Sequence, residues 1–278
     1  MKIFYVGLIG YGKMGKIYEK EIKKIKGFKI VEILKHKNLK ENPDIIKKFF
    51  NSKKINLFII SSPLNTHFKY LNLAYESKKN IIIEKPLVEK LSQLKKLLEI
   101  HKKFKKKIMI HHNDVLNLEE LKLLKKNNTK DLKKIEMFYG CRNINNSYKK
   151  PFFDWLPHPL SVIVNFFDGP INFEILEYSS TIKKKLFFEK IKILIKVNNL
   201  PIYIDFSNNL KKPIKKIILY TKNKKNIYDG YKAKNKKTVK LLLEKFYNTQ
   251  VINFIKPNFK VYNLLFKIEK KIEYFHNN

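Results

Sequence analysis

Closely spaced glycines are the first feature of this sequence that suggests chemistry. Of the eight glycines in 278 residues, four lie within residues 7–15, and Gly10, Gly12 and Gly15 have the spacing G-x-G-x-x-G. Glycine is favoured where a Cβ would clash or where φ must be positive. A strand-like apolar run precedes the motif and a helix-like segment follows it, which is the context of a turn that holds a dinucleotide pyrophosphate at a helix N-terminus. The alternative is a glycine-rich turn without a ligand, because the motif alone is weak.

Lys85 is a second candidate for chemistry. It lies in the sequence EKPL, at the end of an apolar run and directly before Pro86. A lysine at the carboxyl end of a parallel strand points into the crevice where such sheets bind ligands. There its ammonium group could polarise a carbonyl or stabilise an alkoxide. The alternative is an ordinary surface lysine, since lysine is abundant along the whole chain.

Asp154 and His158 form a third candidate, in the sequence DWLPHPLS. Residues four apart share one face of a helix, and imidazole titrates near neutral pH, which suits proton transfer. Pro157 and Pro159 flank the histidine. The segment could therefore instead be the entry to a helix, with Asp154 as its cap and His158 partly exposed.

Alternating strands and helices would position the first two candidates. Five apolar, strand-like runs alternate with helical stretches over roughly the first 115 residues; the runs lie at 2–9, 28–35, 55–62, 80–85 and 107–112. Short buried strands separated by helices predict right-handed βαβ units and a parallel sheet. We therefore predict a Rossmann dinucleotide-binding domain at residues 1–115.

The pattern changes in the rest of the chain. A strand is predicted at 132–142 and a helix at 154–167, entered through a proline-rich turn; four more strands follow, at 171–180, 184–197, 200–207 and 215–222. Turn signals rather than helices separate these strands, so an open, mainly antiparallel sheet is expected. With closing helices at 237–248 and 258–275, residues 116–278 are predicted to form an α+β domain for substrate binding and oligomerisation.

Composition narrows the class of protein. The formal net charge is +36, which is typical of nucleic-acid-binding proteins, yet only one of the 60 basic residues is an arginine. Arginine is the usual residue that recognises bases and phosphates, and the lysines are scattered, so we predict no specific nucleic-acid partner.

No apolar run approaches the ~20 residues of a membrane span, and no signal peptide is recognisable. We expect a cytoplasmic protein with no membrane partner.

The sequence offers little for metal or disulfide chemistry. Cys141 is the only cysteine, which excludes an internal disulfide and a cysteine metal cluster. His111 and His112 could be proposed as a metal-binding pair, but neighbouring residues of a strand face opposite sides. We therefore predict no metal site, and we assign Asn113, at the end of the fifth predicted strand, to the substrate pocket.

Four motifs together identify a likeness to a known family. The sequences GLIGYGKMG, SSPLNTH, EKPL and DWLPHPLS, in this order and at these separations, resemble the glucose-fructose oxidoreductase/inositol dehydrogenase (Gfo/Idh/MocA) family. The likeness extends over nearly the whole chain, and E-K-P after the fourth strand is its most specific part. It implies an NAD(P)-dependent oxidoreductase that transfers a hydride between nicotinamide and a hydroxyl or ketone of a sugar, cyclitol or nucleotide sugar.

The resemblance also implies roles for individual residues. Around the cofactor pyrophosphate it places Gly10, Gly12, Lys13, Met14 and Gly15. Along the path from adenosine to nicotinamide it places Ser61, Pro63, Asn65 and His67, and beside the ring Glu84 and Lys85. Lys85, Asp154 and His158 would be catalytic, with Asn113 and Trp155 in the substrate pocket.

Two positions depart from the family pattern. Ser161 stands where the family often has a second aspartate, three residues after the histidine. An acidic residue that binds the ribose 2′-hydroxyl of NAD is expected about 20 residues past the glycine motif, but the chain has Lys35, His36 and Lys37 there. These side chains suit a 2′-phosphate, so we expect a modest preference for NADP over NAD, with lysine drift as the alternative.

Two other functions stay open at this stage. A non-catalytic sensor or regulator that binds a dinucleotide would be compatible with the intact glycine turn and with Ser161. A basic nucleic-acid-binding protein is a more distant alternative, and its binding would weaken steeply with salt.

An open antiparallel sheet usually needs a covering partner, so we expect a homodimer or homotetramer built on the second domain.

Overall fold

The chain folds into two compact units. The computed structural model describes residues 2–35, 43–103, 106–120, 124, 131–141, 151–183, 186–232, 237–249 and 255–277. The first unit comprises Met1–His111 with Lys237–Phe259, and the second unit comprises His112–Lys236 with Lys260–Asn278.

Strands and helices are numbered here along the chain. The strands are β1 (Phe4–Ile9), β2 (Phe28–Leu34), β3 (Leu57–Ile60), β4 (Asn80–Glu84), β5 (Ile108–His111), β6 (Leu132–Gly140), β7 (Ile171–Lys183), β8 (Leu186–Val197), β9 (Leu200–Ser207), β10 (Ile214–Thr221) and β11 (Lys225–Asp229). The helices are α1 (Lys13–Ile22), α2 (Pro43–Asn51), α3 (Leu64–Glu76), α4 (Leu91–Lys102), α5 (Asn113–Glu120), α6 (Pro151–Trp155), α7 (Pro157–Phe166), α8 (Thr238–Asn248) and α9 (Ile255–Asn277).

The first unit is a parallel sheet between helices. Its strand order is β2-β1-β3-β4-β5, and every neighbouring pair is parallel. All four residues of β3 and all four of β5 are buried, as expected where helices cover both faces. The strand order reverses between β1 and β3, and the carboxyl ends at such a reversal are where open α/β sheets bind ligands. The predicted Rossmann fold is confirmed.

Helix α8 packs in the first unit although it follows the second sheet in sequence. Phe246 contacts Phe4, with ring centroids 5.3 Å apart, and Tyr247 lies 6.0 Å from Phe28. Tyr247 also covers Gly27, where a Cβ would come within 2.4 Å of the tyrosine ring. These aromatic contacts join α8 to the parallel sheet, and the first unit accordingly includes residues 237–259.

The second unit is built on a six-stranded sheet of order β11-β10-β6-β9-β8-β7. Only β6 and β9 pair in parallel, and the other neighbours are antiparallel. Buried and partly exposed residues alternate along β8 and β9, so one face of the sheet is packed and the other is open. Helix α6 packs against β8 and β9, and α5 packs against α7. The predicted α+β class with a mainly antiparallel sheet is confirmed.

Three local predictions need correction. Strand β5 ends at His111, and Asn113 begins helix α5 rather than ending the strand. The segment predicted as one helix at 154–167 is two helices that meet at Leu156, because Pro157 and Pro159 have no N–H to donate to the preceding turn. Strand β11 was not predicted: it is a short edge strand of sequence KNIYD in a lysine-rich region, and it pairs only with β10.

None of the helices in the described part of the chain is both long enough and apolar enough to cross a lipid bilayer.

Candidate functional site

The glycine turn joins β1 to α1, and its backbone favours glycine at Gly10 and Gly15. Gly10 has a φ of +86°, and a Cβ there would lie 2.6 Å from the backbone nitrogen of Ser62. A Cβ on Gly15 would lie 2.3 Å from the carbonyl oxygen of Gly10. The first glycine therefore permits the tight turn, and the third brings α1 against the end of β1.

The middle glycine borders open space. A Cβ built on Gly12 has no heavy atom within 4 Å, and Gly12 is the N-cap of α1. The N–H groups of Lys13, Met14 and Gly15 begin the helix and have no partner within it by helix geometry. The first turn also contains no acidic residue. Room for atoms, unsatisfied donors and a positive helix end fit the pyrophosphate of a dinucleotide.

The segment after β3 is fastened to this turn. The Ser61 hydroxyl lies 3.2 Å from the carbonyl oxygen of Ile9 and 3.0 Å from that of Gly10, and donates between them. Pro63 is the N-cap of α3, and Asn65 is exposed in the first turn of that helix. The predicted residues Ser61, Pro63 and Asn65 thus follow β3 at the strand-order reversal, beside the glycine turn.

His67 connects two loops at the carboxyl ends of the strands. Its Nδ1 lies 2.8 Å from the carbonyl oxygen of Pro86, and its Nε2 lies 2.8 Å from that of Ser62. Carbonyl oxygens only accept hydrogen bonds and a neutral imidazole has one N–H, so the neutral ring donates to one of these two oxygens at a time. Burial lowers the pKa of His67. The predicted cofactor residue His67 thus has a backbone oxygen beside each ring nitrogen, and it lies between the loops after β3 and β4.

Glu84 lies in a buried cluster with two residues that the sequence did not indicate as its partners. Its Oε1 accepts hydrogen bonds from the Tyr18 hydroxyl at 2.9 Å and from Nδ1 of His111 at 2.6 Å. Burial works against ionisation of Glu84, but the contact with His111 and the hydrogen bond from Tyr18 lower its pKa overall. Burial also raises the pKa of Tyr18 well above its usual range. This cluster fixes the end of β4, where half-buried Lys85 follows directly.

The end of β2 carries a cation and an aromatic ring. The Nζ of Lys35 lies 4.9 Å from the ring centroid of Tyr11, the residue between the first two motif glycines. The Tyr11 hydroxyl donates to Glu19 at 2.5 Å, and Lys23 pairs with the same carboxylate at 2.9 Å. Lys35 is thus held close to the glycine turn, whereas His36 and Lys37 lie outside the described residues.

The second unit contains a buried charged cluster around Asp114. The carboxylate is fully buried, and its Oδ1 lies 2.5 Å from Nζ of Lys215. Its Oδ2 accepts a hydrogen bond from Tyr139 at 3.0 Å and lies 3.5 Å from Nδ1 of His158. Burial alone would raise the pKa of Asp114, but the Lys215 ammonium and His158 hold it well below its usual range.

The imidazole of His158 is packed between aromatic rings. The Tyr139 ring stacks on it at 11° with centroids 6.2 Å apart, and the Trp155 ring lies 5.8 Å away. Ser161 donates to the backbone oxygen of His158 at 2.8 Å. Ser161 is thus bound to the backbone of the first turn of α7.

The other two predicted residues of the second unit lie close in sequence to this cluster. Asp154 acts electrostatically on Cys141, where burial first and the aspartate second raise the pKa of the thiol to about 11. Asn113 precedes Asp114 at the start of α5, and its buried Oδ1 accepts no hydrogen bond from the described residues. Within the described ranges, no group of three or more His, Cys, Asp or Glu side chains is arranged to bind a metal.

Sequence comparisons match about two fifths of the chain. Residues 4–112 match the model of the Gfo/Idh/MocA oxidoreductase family with an NAD-binding Rossmann fold. The oxidoreductase YdgJ of Escherichia coli (strain K12) is 30% identical over 117 residues, which are 39% of this chain and 34% of that protein. The match thus spans about a third of the relative's length.

Solved structures share the fold over nearly the whole chain. The dehydrogenase MviM of Clostridium difficile has a TM-score of 0.74 at 18% identity, covering 97% of this chain and 100% of its own. UDP-N-acetylglucosamine 3-dehydrogenase GnnA of Acidithiobacillus ferrooxidans also has a TM-score of 0.74, at 13% identity, covering 96% of this chain and 97% of its own. Biliverdin reductase of Synechocystis sp. PCC 6803, solved with biliverdin and NADP⁺, has a TM-score of 0.68 at 12% identity, covering 93% of this chain and 95% of its own.

The glycine geometry, the family model and the shared fold agree on one assignment. The resemblance indicated by the sequence motifs is confirmed: residues 4–112 match the model of the Gfo/Idh/MocA oxidoreductase family with its NAD-binding Rossmann fold.

Proposed function

We propose that the chain is an NAD(P)-dependent oxidoreductase that transfers a hydride between nicotinamide and a hydroxyl or ketone of a sugar, cyclitol or nucleotide sugar. The observation that carries the proposal is the open space beside Gly12 at the start of α1, inside the segment that matches an oxidoreductase family. A sugar-nucleotide dehydrogenase among the proteins of the same fold supports the substrate class.

The nicotinamide, when bound, supplies the position that accepts or donates hydride. In our proposal Gly10, Gly12, Gly15 and the N–H groups that begin α1 bind the pyrophosphate. The loop after β3, with Ser61, borders the dinucleotide. These groups bind and orient the cofactor and take no part in proton transfer.

Three side chains have roles in the chemical step. Lys85 donates a hydrogen bond to the reacting oxygen and stabilises it when it carries negative charge. His158 takes the hydroxyl proton when the substrate is oxidised and returns it when the ketone is reduced. Asp154 binds or orients a substrate hydroxyl, and Asn113 and Trp155 complete the substrate pocket. The unsatisfied Oδ1 of Asn113 is suited to accept a hydrogen bond from a hydroxyl-rich substrate.

The proposal includes a mild preference for NADP over NAD. The Lys35 ammonium lies next to the Tyr11 ring, and the Rossmann position usually held by an acidic residue is basic here. An exposed contact between an ammonium and a phosphate contributes about 1 kcal/mol or less. The preference should therefore be about fivefold rather than absolute.

We also propose a homodimer or homotetramer that covers the open face of the second unit's sheet. Leu176 and Tyr203 are exposed on this sheet, with 48% and 37% of their surfaces accessible. Sedimentation equilibrium distinguishes this assembly from a monomer.

The test of the proposed activity is a screen of sugars, cyclitols and nucleotide sugars with NADP⁺ and NAD⁺, and of the corresponding ketones with the reduced cofactors. The readout is the absorbance of the reduced nicotinamide. We expect turnover with at least one class, and its loss in Lys85→Met. A protein that binds the dinucleotide but turns over no compound would support a dinucleotide-binding sensor instead.

A further inference from the structure

We propose that Asp114 is the positioning residue of His158: it holds Nδ1 of the imidazole, while Lys215 and Tyr139 hold the carboxylate in place. The inference rests on the proposed acid–base role of His158. The sequence does not indicate it, because the four residues lie on four different elements, α5, β6, α7 and β10.

The carboxylate of Asp114 has three partners, and each lies on a different element. Its Oδ1 pairs with Lys215 at 2.5 Å, and its Oδ2 accepts from Tyr139 at 3.0 Å. These two contacts compensate the loss of water around a fully buried charge. The contact between Oδ2 and His158 at 3.5 Å is a third one. We infer that this third contact also orients the histidine, because Lys215 and Tyr139 already hold the two carboxylate oxygens in place.

The contact fixes both the orientation and the proton distribution of the ring. A neutral imidazole has one N–H and one lone pair. With Asp114 beside Nδ1, the favoured tautomer carries its proton there, and Nε2 becomes the nitrogen that exchanges a proton with substrate. When Nε2 gains that proton, the positive charge lies next to a carboxylate, which stabilises it. The stacked Tyr139 ring restricts rotation of the imidazole.

Several titratable groups act on this pair, and their signs determine the test. Tyr139 on β6, Lys215 on β10, Tyr228 on β11 and Tyr231 after β11 all interact electrostatically with Asp114, and Asp154 on α6 precedes His158 by four positions. The carboxylate of Asp114 favours the charged imidazole and Lys215 opposes it. The hydrogen bond from Tyr139 spreads the carboxylate charge and so weakens its effect on His158.

The experiment is an NMR titration of the full chain with isotopically labelled histidine. The His158 signal, one of seven histidine signals, is assigned by its loss in His158→Asn. Removal of the adjacent carboxylate in Asp114→Asn should lower the titration midpoint of His158 by about 1 pH unit or more. Tyr139→Phe removes one hydrogen bond to the carboxylate and should raise the midpoint. Opposite shifts are not expected from general loosening of the fold.

A matched control uses the same chemistry elsewhere on the sheet. Glu177 pairs with Lys190 at 2.6 Å and with Lys192 at 3.1 Å, at the surface of the second unit. Glu177→Gln should leave the His158 midpoint unchanged. If Asp114→Asn does not fold, the double variant Asp114→Asn with Lys215→Met is used, because it removes both members of the ion pair. Its His158 midpoint should fall by less than the fall expected for Asp114→Asn alone. An unchanged midpoint in either Asp114 variant overturns the proposal.

The titration needs no substrate, so it fails or succeeds independently of the proposed enzymatic activity. If His158 shifts as expected and no compound is turned over, the positioning role holds and the oxidoreductase function fails. Where turnover is found, the pH profile of kcat in Asp114→Asn should move in the same direction as the NMR midpoint. An active Asp114→Asn enzyme with the parental pH profile contradicts the positioning role.

Discussion

Main-chain groups form the candidate site of the first unit, whereas charged and aromatic side chains form that of the second. Around the glycine turn, the determining features are the positive φ of Gly10 and the open space at Gly12. Around Asp114, they are an ion pair with Lys215, a hydrogen bond from Tyr139 and the imidazole of His158. The first site is sensitive to added atoms, and the second is sensitive to removed charges.

This difference corresponds to two kinds of task. A pyrophosphate carries fixed negative charge, so N–H groups and a helix end bind it without any change of protonation. Proton transfer requires a group whose protonation changes, and side chains must tune that group. We therefore expect added atoms at Gly12 to alter dinucleotide binding, and variants of the Asp114 cluster to alter stability and proton chemistry.

The largest effect is expected for Lys215→Met. It leaves the buried carboxylate of Asp114 without its cation, and breaking a buried pair in this way costs about 3–5 kcal/mol. Denaturant unfolding of the full chain measures the loss in the free energy of unfolding. The control is Lys190→Met, whose side chain is 41% exposed and pairs with Glu177; exposed pairs contribute about 0–1 kcal/mol. Equal losses in the two variants would contradict the importance we give to burial.

The next effect concerns binding in the first unit. Gly12→Val fills the open space beside the start of α1 and should weaken NADPH binding by about 100-fold, or roughly 2.7 kcal/mol. Lys20→Val, at an exposed position of the same helix, should leave the affinity close to parental. Both affinities are measured by titration of NADPH fluorescence. Undiminished binding in Gly12→Val would show that the dinucleotide binds elsewhere.

A smaller effect is expected for Gly10→Ala. A left-handed φ costs a residue with a Cβ about 1–2 kcal/mol, and here the Cβ would also meet the backbone of Ser62 at 2.6 Å. Gly12→Ala is the matched control, because its Cβ would meet nothing and its φ is −80°. Urea unfolding should show a loss for Gly10→Ala alone; an equal loss in both variants would contradict this account of the turn.

The smallest effect is the cofactor preference. Lys35→Asp removes the cation near Tyr11 and should shift the preference from NADPH toward NADH. The expected change in the difference between the two binding free energies is about 1 kcal/mol or less, the contribution of one exposed contact. Lys29→Asp, at an exposed position of β2, is the control and should not change the ratio. Equal affinities for the two cofactors in the parent, unchanged in Lys35→Asp, would leave the lysines without a binding role.

The fold of the first unit could be predicted because its rules are local. Apolar runs of strand length and glycine spacing fix the parallel sheet and the turn, and each signal lies within a few residues of the structure it predicts. Helix α8 could not be placed in this unit from its own sequence. Its position depends on the contacts of Phe246 and Tyr247 with residues more than two hundred positions earlier.

The site of the second unit could be predicted only in part. His158 was found because a family motif surrounds it, but Asp114, Tyr139 and Lys215 lie in segments whose sequences carry no motif. Their meeting is a result of sheet register, since Tyr139 on β6 lies opposite Lys215 on β10. The order of distant strands is set by tertiary packing, which the sequence of one strand does not reveal.

The central claim is that the glycine turn binds the dinucleotide whereas His158 in the Asp114 cluster transfers the proton, and His158→Asn tests it most directly. Turnover and NADPH affinity are measured on the parent and on this variant, with a substrate found in the screen. Loss of positioned proton transfer should reduce turnover by about 10²–10⁴-fold, while NADPH affinity stays within about twofold of the parent, less than 0.5 kcal/mol. Near-parental turnover, or a loss of affinity as large as the loss of turnover, would contradict the account.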